Sequence, residues 1–109
     1  MLNIVGNTKE ILNEIKSTVR EFISDAEVML FGSRARGDAR LASDFDILII
    51  TKEDISAKSK FPLRTNIRVA LLKKGIRSDV LLQSKKEVEK KKTLPGHIIR
   101  RIFNEAILL

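Results

Sequence analysis

The sequence has no cysteine, no tryptophan and no tyrosine, and it contains a single histidine, His97. Without cysteine the chain can form neither a disulfide framework nor a thiolate metal site, and one histidine cannot build a histidine-rich zinc site. The lack of tryptophan and tyrosine argues against a platform on which single-stranded nucleic acid would stack. His97 follows Pro95-Gly96, and we interpret it as a capping or surface residue rather than a catalytic one.

Long apolar runs are missing as well. Charged residues interleave with the apolar positions of residues 1–24, so this segment lacks the continuous apolar region of a signal peptide. No run approaches the roughly 20 apolar residues that span a bilayer. We therefore expect a cytoplasmic protein without membrane contact. The length of 109 residues fits one small domain, so residues 1–109 are treated as a single unit.

Positive charge is in excess and unevenly placed. The formal net charge is +7, and residues 84–109 hold seven lysines and arginines against three glutamates. A basic surface attracts polyanions, which include nucleic acid, nucleotides and acidic protein faces, and charge alone does not choose among them. The lysines of residues 85–92 are interpreted as a solvated helix face, with RNA or an acidic partner as the alternatives.

Apolar periodicity predicts alternating helices and strands. Helices are expected over residues 8–23 and 62–74, in a short basic segment after Ser84, and over residues 97–107; strands are expected over 27–31, 44–51 and 76–83. Pro62 suits a first helical turn and Gly75 the position after a helix end. Asn7 with Glu10, and Ser84 with Glu87, form candidate capping boxes. This order predicts an α/β (α+β) fold with a small mixed three-stranded sheet flanked by helices.

Three aspartates are the candidate metal ligands. Asp44 and Asp46 lie two residues apart in a predicted strand, so both side chains point to one face. Neighbouring carboxylates repel each other, and Mg²⁺ is a natural counter-ion because it prefers oxygen ligands. If the strand that holds Asp79 neighbours theirs, three carboxylates can converge as two-metal phosphoryl transfer requires. Solvated strand residues remain the alternative for each of them.

Gly32-Ser33 forms a candidate phosphate site. Glycine lets the backbone approach an anion, and the serine hydroxyl and the following N–H groups can donate to it. Arg34, Arg36 and Arg40 surround this turn, and guanidinium groups match phosphate oxygens, although a solvated basic loop is the alternative. The combination of Gly32-Ser33, ten residues, and Asp-x-Asp arises by chance in roughly one chain in a thousand at typical residue frequencies.

Residues 31–49, FGSRARGDARLASDFDILI, resemble the minimal nucleotidyltransferases of the DNA polymerase β-like superfamily. The resemblance extends from this block to Asp79 and implies a single nucleotidyltransferase domain over 1–109. It implies that Asp44 and Asp46 bind two Mg²⁺ ions, and that Asp79 completes the site and helps to deprotonate the attacking hydroxyl. It also implies that Gly32 and Ser33 hold the triphosphate of the substrate, for which we expect ATP, with Arg36 as a further nucleotide ligand.

The resemblance also suggests a partner. Many minimal members are encoded beside a HEPN protein, a helical toxin, and act as antitoxins that adenylylate it. We therefore expect Mg²⁺-dependent transfer of AMP from ATP to a hydroxyl of such a partner. Two alternatives stay open, namely a non-catalytic antitoxin or binding module that acts by contact, and a nucleic-acid-binding domain that uses the basic C-terminal half. The sequence does not determine the acceptor, the nucleobase or the oligomeric state.

Overall fold

The computed structural model describes residues 8–40 and 42–109. In chain order the elements are α1 (Thr8–Phe22), β1 (Glu27–Phe31), α2 (Ser33–Arg36), β2 (Phe45–Thr51), α3 (Ala57–Lys73), β3 (Ser78–Ser84), α4 (Lys85–Lys91), α5 (Ile98–Glu105) and β4 (Ile107–Leu108). The predicted order of helices and strands is confirmed. The predicted cap at Asn7 lies outside the described residues.

The strands form one sheet in the order β3-β2-β1-β4. Strands β2 and β3 are parallel, whereas β1 is antiparallel to both β2 and β4. The expected mixed sheet flanked by helices is confirmed, but the expected count of three strands was wrong. The chain becomes extended at Ala106 and pairs with the free edge of β1, where the Leu109 N–H donates to the Val28 carbonyl at 2.8 Å. The sequence pattern does not predict β4, because Ile107 continues the apolar spacing of the preceding helix.

Helices cover both faces of the sheet. One face, which carries Ile47 and Ile49, packs against α1 and α3 through residues such as Ile15 and Ile67. The other face packs against α4 and α5, with a core of Leu48, Ile50, Val88, Ile99 and Ile102. Strand β2 is therefore buried on both sides, which explains its unbroken apolar run. Within residues 8–40 and 42–109, no helix has both the length and the apolar character needed to cross a membrane.

Helix α3 begins earlier than its proline suggests. The Ser56 Oγ accepts a hydrogen bond from the Ser59 N–H and caps the helix, so Pro62 lies inside it and not in its first turn. The cap and the core contacts of the helix outweigh the single backbone hydrogen bond that Pro62 cannot make. The predicted end is confirmed, because Gly75 adopts φ +80° and the Ile76 N–H donates back to the Leu71 carbonyl.

Two other predicted helix starts are also confirmed. Helix α4 begins with a reciprocal capping box, in which the Ser84 Oγ accepts from the Glu87 N–H and the Glu87 carboxylate accepts from the Ser84 N–H. Helix α5 begins at His97, whose Nδ1 accepts a hydrogen bond from the Ile99 N–H at 3.1 Å. The histidine therefore caps a helix, as its position after Pro95-Gly96 indicated.

Candidate active site

The candidate site lies at one end of the sheet, where β1 ends and β2 and β3 begin. Because β1 is antiparallel to β2, Phe31 pairs with Asp46, and because β2 is parallel to β3, Asp46 pairs with Asp79. Gly32 follows Phe31 directly. The pairing therefore places the Gly32-Ser33 turn on one side of Asp46 and Asp79 on its other side. Asp46 and Asp79 point to the face that α4 and α5 cover.

Position 32 requires glycine because Asp46 leaves no room there for a side chain. Its backbone has φ +74° and ψ −158°, a conformation that is open almost only to glycine. A Cβ at this position would collide with the Oδ2 of Asp46 and would lie 2.9 Å from its Cγ. The missing side chain thus allows the turn to approach the carboxylate, and the motif pairs Gly32 with Asp46 for a steric reason.

A cleft of about 290 Å³ opens beside this contact. It brings together four of the predicted site residues, Gly32, Ser33, Arg36 and Asp46, with further lining by Phe31, Ile98, Arg101, Ile102 and Glu105. The residues from α5 were missed by the sequence analysis, which predicted a helix over residues 97–107 but assigned none of its residues to the site. The sequence feature that could have indicated them is the adjacent Arg100-Arg101 pair, because it places positive charges beside the apolar stripe of the helix.

Two of the arginines near the turn, Arg36 and Arg34, make different contacts. The Nη1 of Arg36 lies 2.8 Å from the Oε2 of Glu105 across the cleft, and its Nε lies 3.2 Å from the Oδ2 of Asp38. The hydrogen bond to Glu105, followed by that to Asp38, raises the pKa of Arg36. Arg34 instead donates to the Ser43 carbonyl and lies 4.4 Å from the centre of the Phe45 ring, so it holds the loop before β2 in place.

In contrast to Asp46, Asp44 does not line the cleft. Its Oδ1 lies 2.9 Å from the Nη2 of Arg77 and accepts a hydrogen bond from the Nε of the same guanidinium at 3.1 Å. The two residues precede β2 and β3 at neighbouring positions, because Phe45 pairs with Ser78. The structure therefore brings all three aspartates to one end of the sheet, but it directs the carboxylate of Asp44 towards an arginine.

The electrostatics of Asp46 agree with a site for a cation. Burial raises the pKa of the Asp46 carboxyl, and the negative charges of Asp79 and Asp44 raise it further. A bound cation would remove that repulsion, and carboxylate oxygens are the ligands that Mg²⁺ prefers. Within the described residues, however, no three acidic, histidine or cysteine side chains are grouped closely enough to hold a metal ion. Of the three aspartates, only Asp46 lines the cleft, and the carboxylate of Asp44 is held by Arg77.

Comparison with known proteins identifies the family. The family model described as a nucleotidyltransferase domain matches residues 10–109. The chain belongs to the nucleotidyltransferase domain family. Two relatives from Methanocaldococcus jannaschii carry the names "Putative protein adenylyltransferase MJ0604" and "Putative protein adenylyltransferase MJ0141". The first is 35% identical over 93% of this chain and 92% of its own length, and the second is 32% identical over 90% and 94%.

Solved structures agree with this nucleotidyltransferase fold. A structure described as a "putative minimal nucleotidyltransferase" superposes with a TM-score of 0.58 at 23% identity, covering 99% of this chain and 97% of its own. One chain from the complex of the tri-AMPylated Shewanella oneidensis HEPN toxin with MNT antitoxin superposes with a TM-score of 0.55 at 17% identity. That match covers 92% of this chain and 69% of the other. The family match confirms the predicted nucleotidyltransferase domain and supports a nucleotide as its substrate, and the solved structures share its fold.

Proposed function

We propose that this nucleotidyltransferase transfers AMP from ATP to a hydroxyl of a partner protein in a Mg²⁺-dependent reaction. The observation that carries the proposal is the junction of the Gly32 turn with Asp46, which in turn is paired with Asp79. A glycine turn suited to binding phosphate thus lies directly beside Asp46, whose strand neighbour is Asp79. The choice of an adenylyl group and of a protein acceptor is supported by the names of the two Methanocaldococcus jannaschii relatives.

The cleft would hold the nucleotide. Gly32 lets the backbone approach the triphosphate, the Ser33 hydroxyl donates to it, and Arg36 supplies positive charge to its oxygens. Asp44, Asp46 and Asp79 would hold Mg²⁺, two ions in the active complex, after Asp44 turns away from Arg77. Bound there, Mg²⁺ neutralises charge on the phosphate oxygens and orients them.

In the proposed transfer step, Asp79 acts as the general base. The hydroxyl oxygen of the acceptor forms a bond to the α-phosphorus, and the bond from that phosphorus to the bridging oxygen breaks. Pyrophosphate leaves with the electron pair. The carboxylate of Asp79 accepts the hydroxyl proton and later releases it to water. Correct orientation of the two reactants can lower the reaction barrier by up to about 7–11 kcal/mol.

For the acceptor we propose a HEPN-type helical protein, with this chain as its antitoxin. The complex of an AMPylated HEPN toxin with MNT antitoxin, one chain of which shares the fold, supports this assignment. The excess of basic residues after Ser84, seven against three acidic ones, would steer an acidic surface towards the domain.

A second function is favoured by one specific contact. The ion pair of Asp44 with Arg77 occupies a carboxylate that catalysis needs. A binding module that neutralises its partner by contact alone would keep this pair intact and would need no metal. Under that alternative, partner binding is unaffected by loss of the carboxylates and no AMP is transferred.

The experiment uses ATP labelled at the α-phosphate together with a co-expressed candidate partner protein of the HEPN type. We expect wild-type chain with Mg²⁺ to add one or more AMP units to the partner, detected by mass spectrometry. Asp79→Asn should bind the partner but leave it unmodified. Asp54→Asn should behave as wild type, because Asp54 lies in an exposed loop after the end of β2 that is opposite the candidate site. An unmodified but neutralised partner would favour the contact mechanism.

Calorimetry isolates the metal assignment. We expect ATP to bind clearly with Mg²⁺ and weakly without it, because the carboxylates otherwise repel the triphosphate. The double variant Asp44→Asn with Asp46→Asn should lose the Mg²⁺ dependence while circular dichroism shows an intact fold. Equal ATP affinity with and without Mg²⁺ in wild type and double variant alike contradicts the metal site.

A further inference from the structure

A second depression lies on the other side of the sheet, between α3 and the start of β3. This α3 groove has a volume of about 400 Å³ and is lined by Asp44, Thr65, Arg68, Val69, Leu72, Arg77 and Ser78. Its four residues from α3 follow the spacing i, i+3, i+4 and i+7, so they form one stripe along the helix. The Nε of Arg68 donates to the Ser78 carbonyl at 3.2 Å and fixes the helix against the strand.

The α3 groove and the cleft beside Gly32 are lined by two aspartates that lie two residues apart in the chain. Asp46 lines the cleft on the face covered by α5, whereas Asp44, two residues earlier, lines the groove on the side of α3. In-line displacement at phosphorus requires the attacking and leaving oxygens to lie on opposite sides of the reacting atom. If the Gly32 turn holds the triphosphate, as the proposed function states, the acceptor must enter from the side away from that turn. Strand order places β3 and the groove on that side.

The chemistry of the groove indicates what it binds. Val69 is 45% exposed and Leu72 is 58% exposed, which leaves an apolar floor open to solvent. Arg68 and Arg77 contribute two positive charges against the one negative charge of Asp44. A protein segment with an apolar and an acidic side chain matches this surface. A nucleic acid backbone matches it less well, because it has no apolar side chain to cover Val69 and Leu72.

We propose that the α3 groove binds the acceptor segment of the partner protein, a segment that carries an acidic and an apolar residue beside the hydroxyl to be modified. The apolar residue packs on Val69 and Leu72. The acidic residue pairs with Arg68 or Arg77, and the hydroxyl reaches the aspartates at the end of the sheet. The inference rests on the proposed function for the identity of the occupant, but binding to the groove is measurable without catalysis.

The test measures binding of short fluorescein-labelled peptides by anisotropy, without ATP. One peptide set has a central tyrosine flanked by glutamate and leucine, and the other has lysine in place of glutamate. The protein variants are Val69→Glu, in the groove, and Phe61→Glu, a matched control on the same helix that is 66% exposed and outside the groove. Neither side chain belongs to the two buried cores, so both variants should fold.

We expect the glutamate peptides to bind wild type and Phe61→Glu with equal affinity, and Val69→Glu about tenfold more weakly, because a like charge then faces the peptide. Lysine peptides should bind wild type about tenfold more weakly than glutamate peptides do, because the positive charges of Arg68 and Arg77 repel lysine and attract glutamate. Equal binding of both peptide sets, equal binding to Val69→Glu, no binding of either set, or displacement of the peptide by an RNA oligonucleotide overturns the proposal.

Calorimetry with Mg²⁺ and ATP on the same preparations separates the two proposals. If Mg²⁺-ATP binds and AMP is transferred, but Val69→Glu binds the peptides with the affinity of wild type, the groove assignment fails and the proposed function stands. If Mg²⁺-ATP does not bind but the peptides show the expected pattern, the groove remains a site for acidic segments and the proposed transfer fails.

Discussion

Substitution of Gly32 by alanine should damage the nucleotide site more than the fold. The backbone conformation of Gly32, φ +74° and ψ −158°, costs a residue with a side chain on the order of 1–3 kcal/mol. The new Cβ would also collide with the carboxylate of Asp46 and lie 3.2 Å from its Cβ, so rotating the carboxylate cannot relieve all of the contact. Overpacking of this kind adds about 1–3 kcal/mol, and it moves the carboxylate out of its place in the site.

Gly37, at the other end of α2, provides the matched control. It also has a positive φ, +83°, but a Cβ there meets nothing within 4 Å. Gly37→Ala should therefore cost only the left-handed backbone penalty of about 1–2 kcal/mol. In a domain of this size, each 1 kcal/mol corresponds to about 4–8 °C in Tm. We expect Gly32→Ala to lower Tm clearly more than Gly37→Ala does.

Calorimetry with Mg²⁺ and ATP, at a temperature where both variants are folded, tests the functional half of the prediction. Gly37→Ala should bind nucleotide as wild type does, and Gly32→Ala should not. In an Asp46→Ala background, the carboxylate that collides is gone, so the cost of Gly32→Ala should fall towards that of Gly37→Ala. The reasoning is refuted if the two glycine variants lose equal stability and keep equal nucleotide affinity, or if Asp46→Ala leaves their difference unchanged.

Three further predictions follow from individual contacts. Burial and the neighbouring carboxylates raise the pKa of Asp46 in the folded chain, so ionisation of Asp46 lowers the free energy of unfolding as the pH rises from the ordinary pKa of an aspartate through the raised pKa. Urea titrations should therefore show that Asp46→Asn gains stability relative to wild type towards neutral pH. An equal stability difference at pH 3 and pH 7, roughly the two sides of this range, would contradict the prediction. Arg101→Gln, at an exposed residue that lines the cleft, should weaken Mg²⁺-ATP binding by about tenfold with Tm unchanged, as loss of a hydrogen bond to a charged group does; unchanged affinity would remove Arg101 from the site. Ser78 carries a buried hydroxyl that has no hydrogen-bond partner in the described part of the chain, so Ser78→Ala should raise stability by about 1 kcal/mol, and a fall in Tm would show that the hydroxyl is satisfied.

Much of the site was predictable because its members are close in sequence. Gly32 and Asp46 belong to one motif, and local patterns already placed the turn after one strand and the aspartates at the start of another. The structure adds the steric reason, since the glycine has no side chain and therefore lets the turn approach the carboxylate. The predicted capping residues were also local, and both Ser84 and His97 cap helices as expected.

Arg101 and Glu105 could not be assigned to the cleft from the sequence. They lie 69 and 73 residues from Gly32 along the chain, and no local pattern indicates which part of the sheet a helix covers. Only the packing of α5 on Leu48 and Ile50 brings these side chains beside Ser33 and Arg36. The same limit applies to β4, because two residues are too short for a periodic signal and their strand partner is distant.

The sequence by itself determined the helices and three of the four strands, and it identified the candidate phosphate and metal ligands, because periodicity, caps and turn residues act within a few positions of the chain. The tertiary structure alone decided that β2 is central and that Asp79 pairs with Asp46, since strand order depends on contacts between distant segments. It also decided that Asp44 contacts Arg77, and that Asp44 and Asp46 line two separate depressions. These arrangements depend on long-range packing, which the local pattern of residues does not encode.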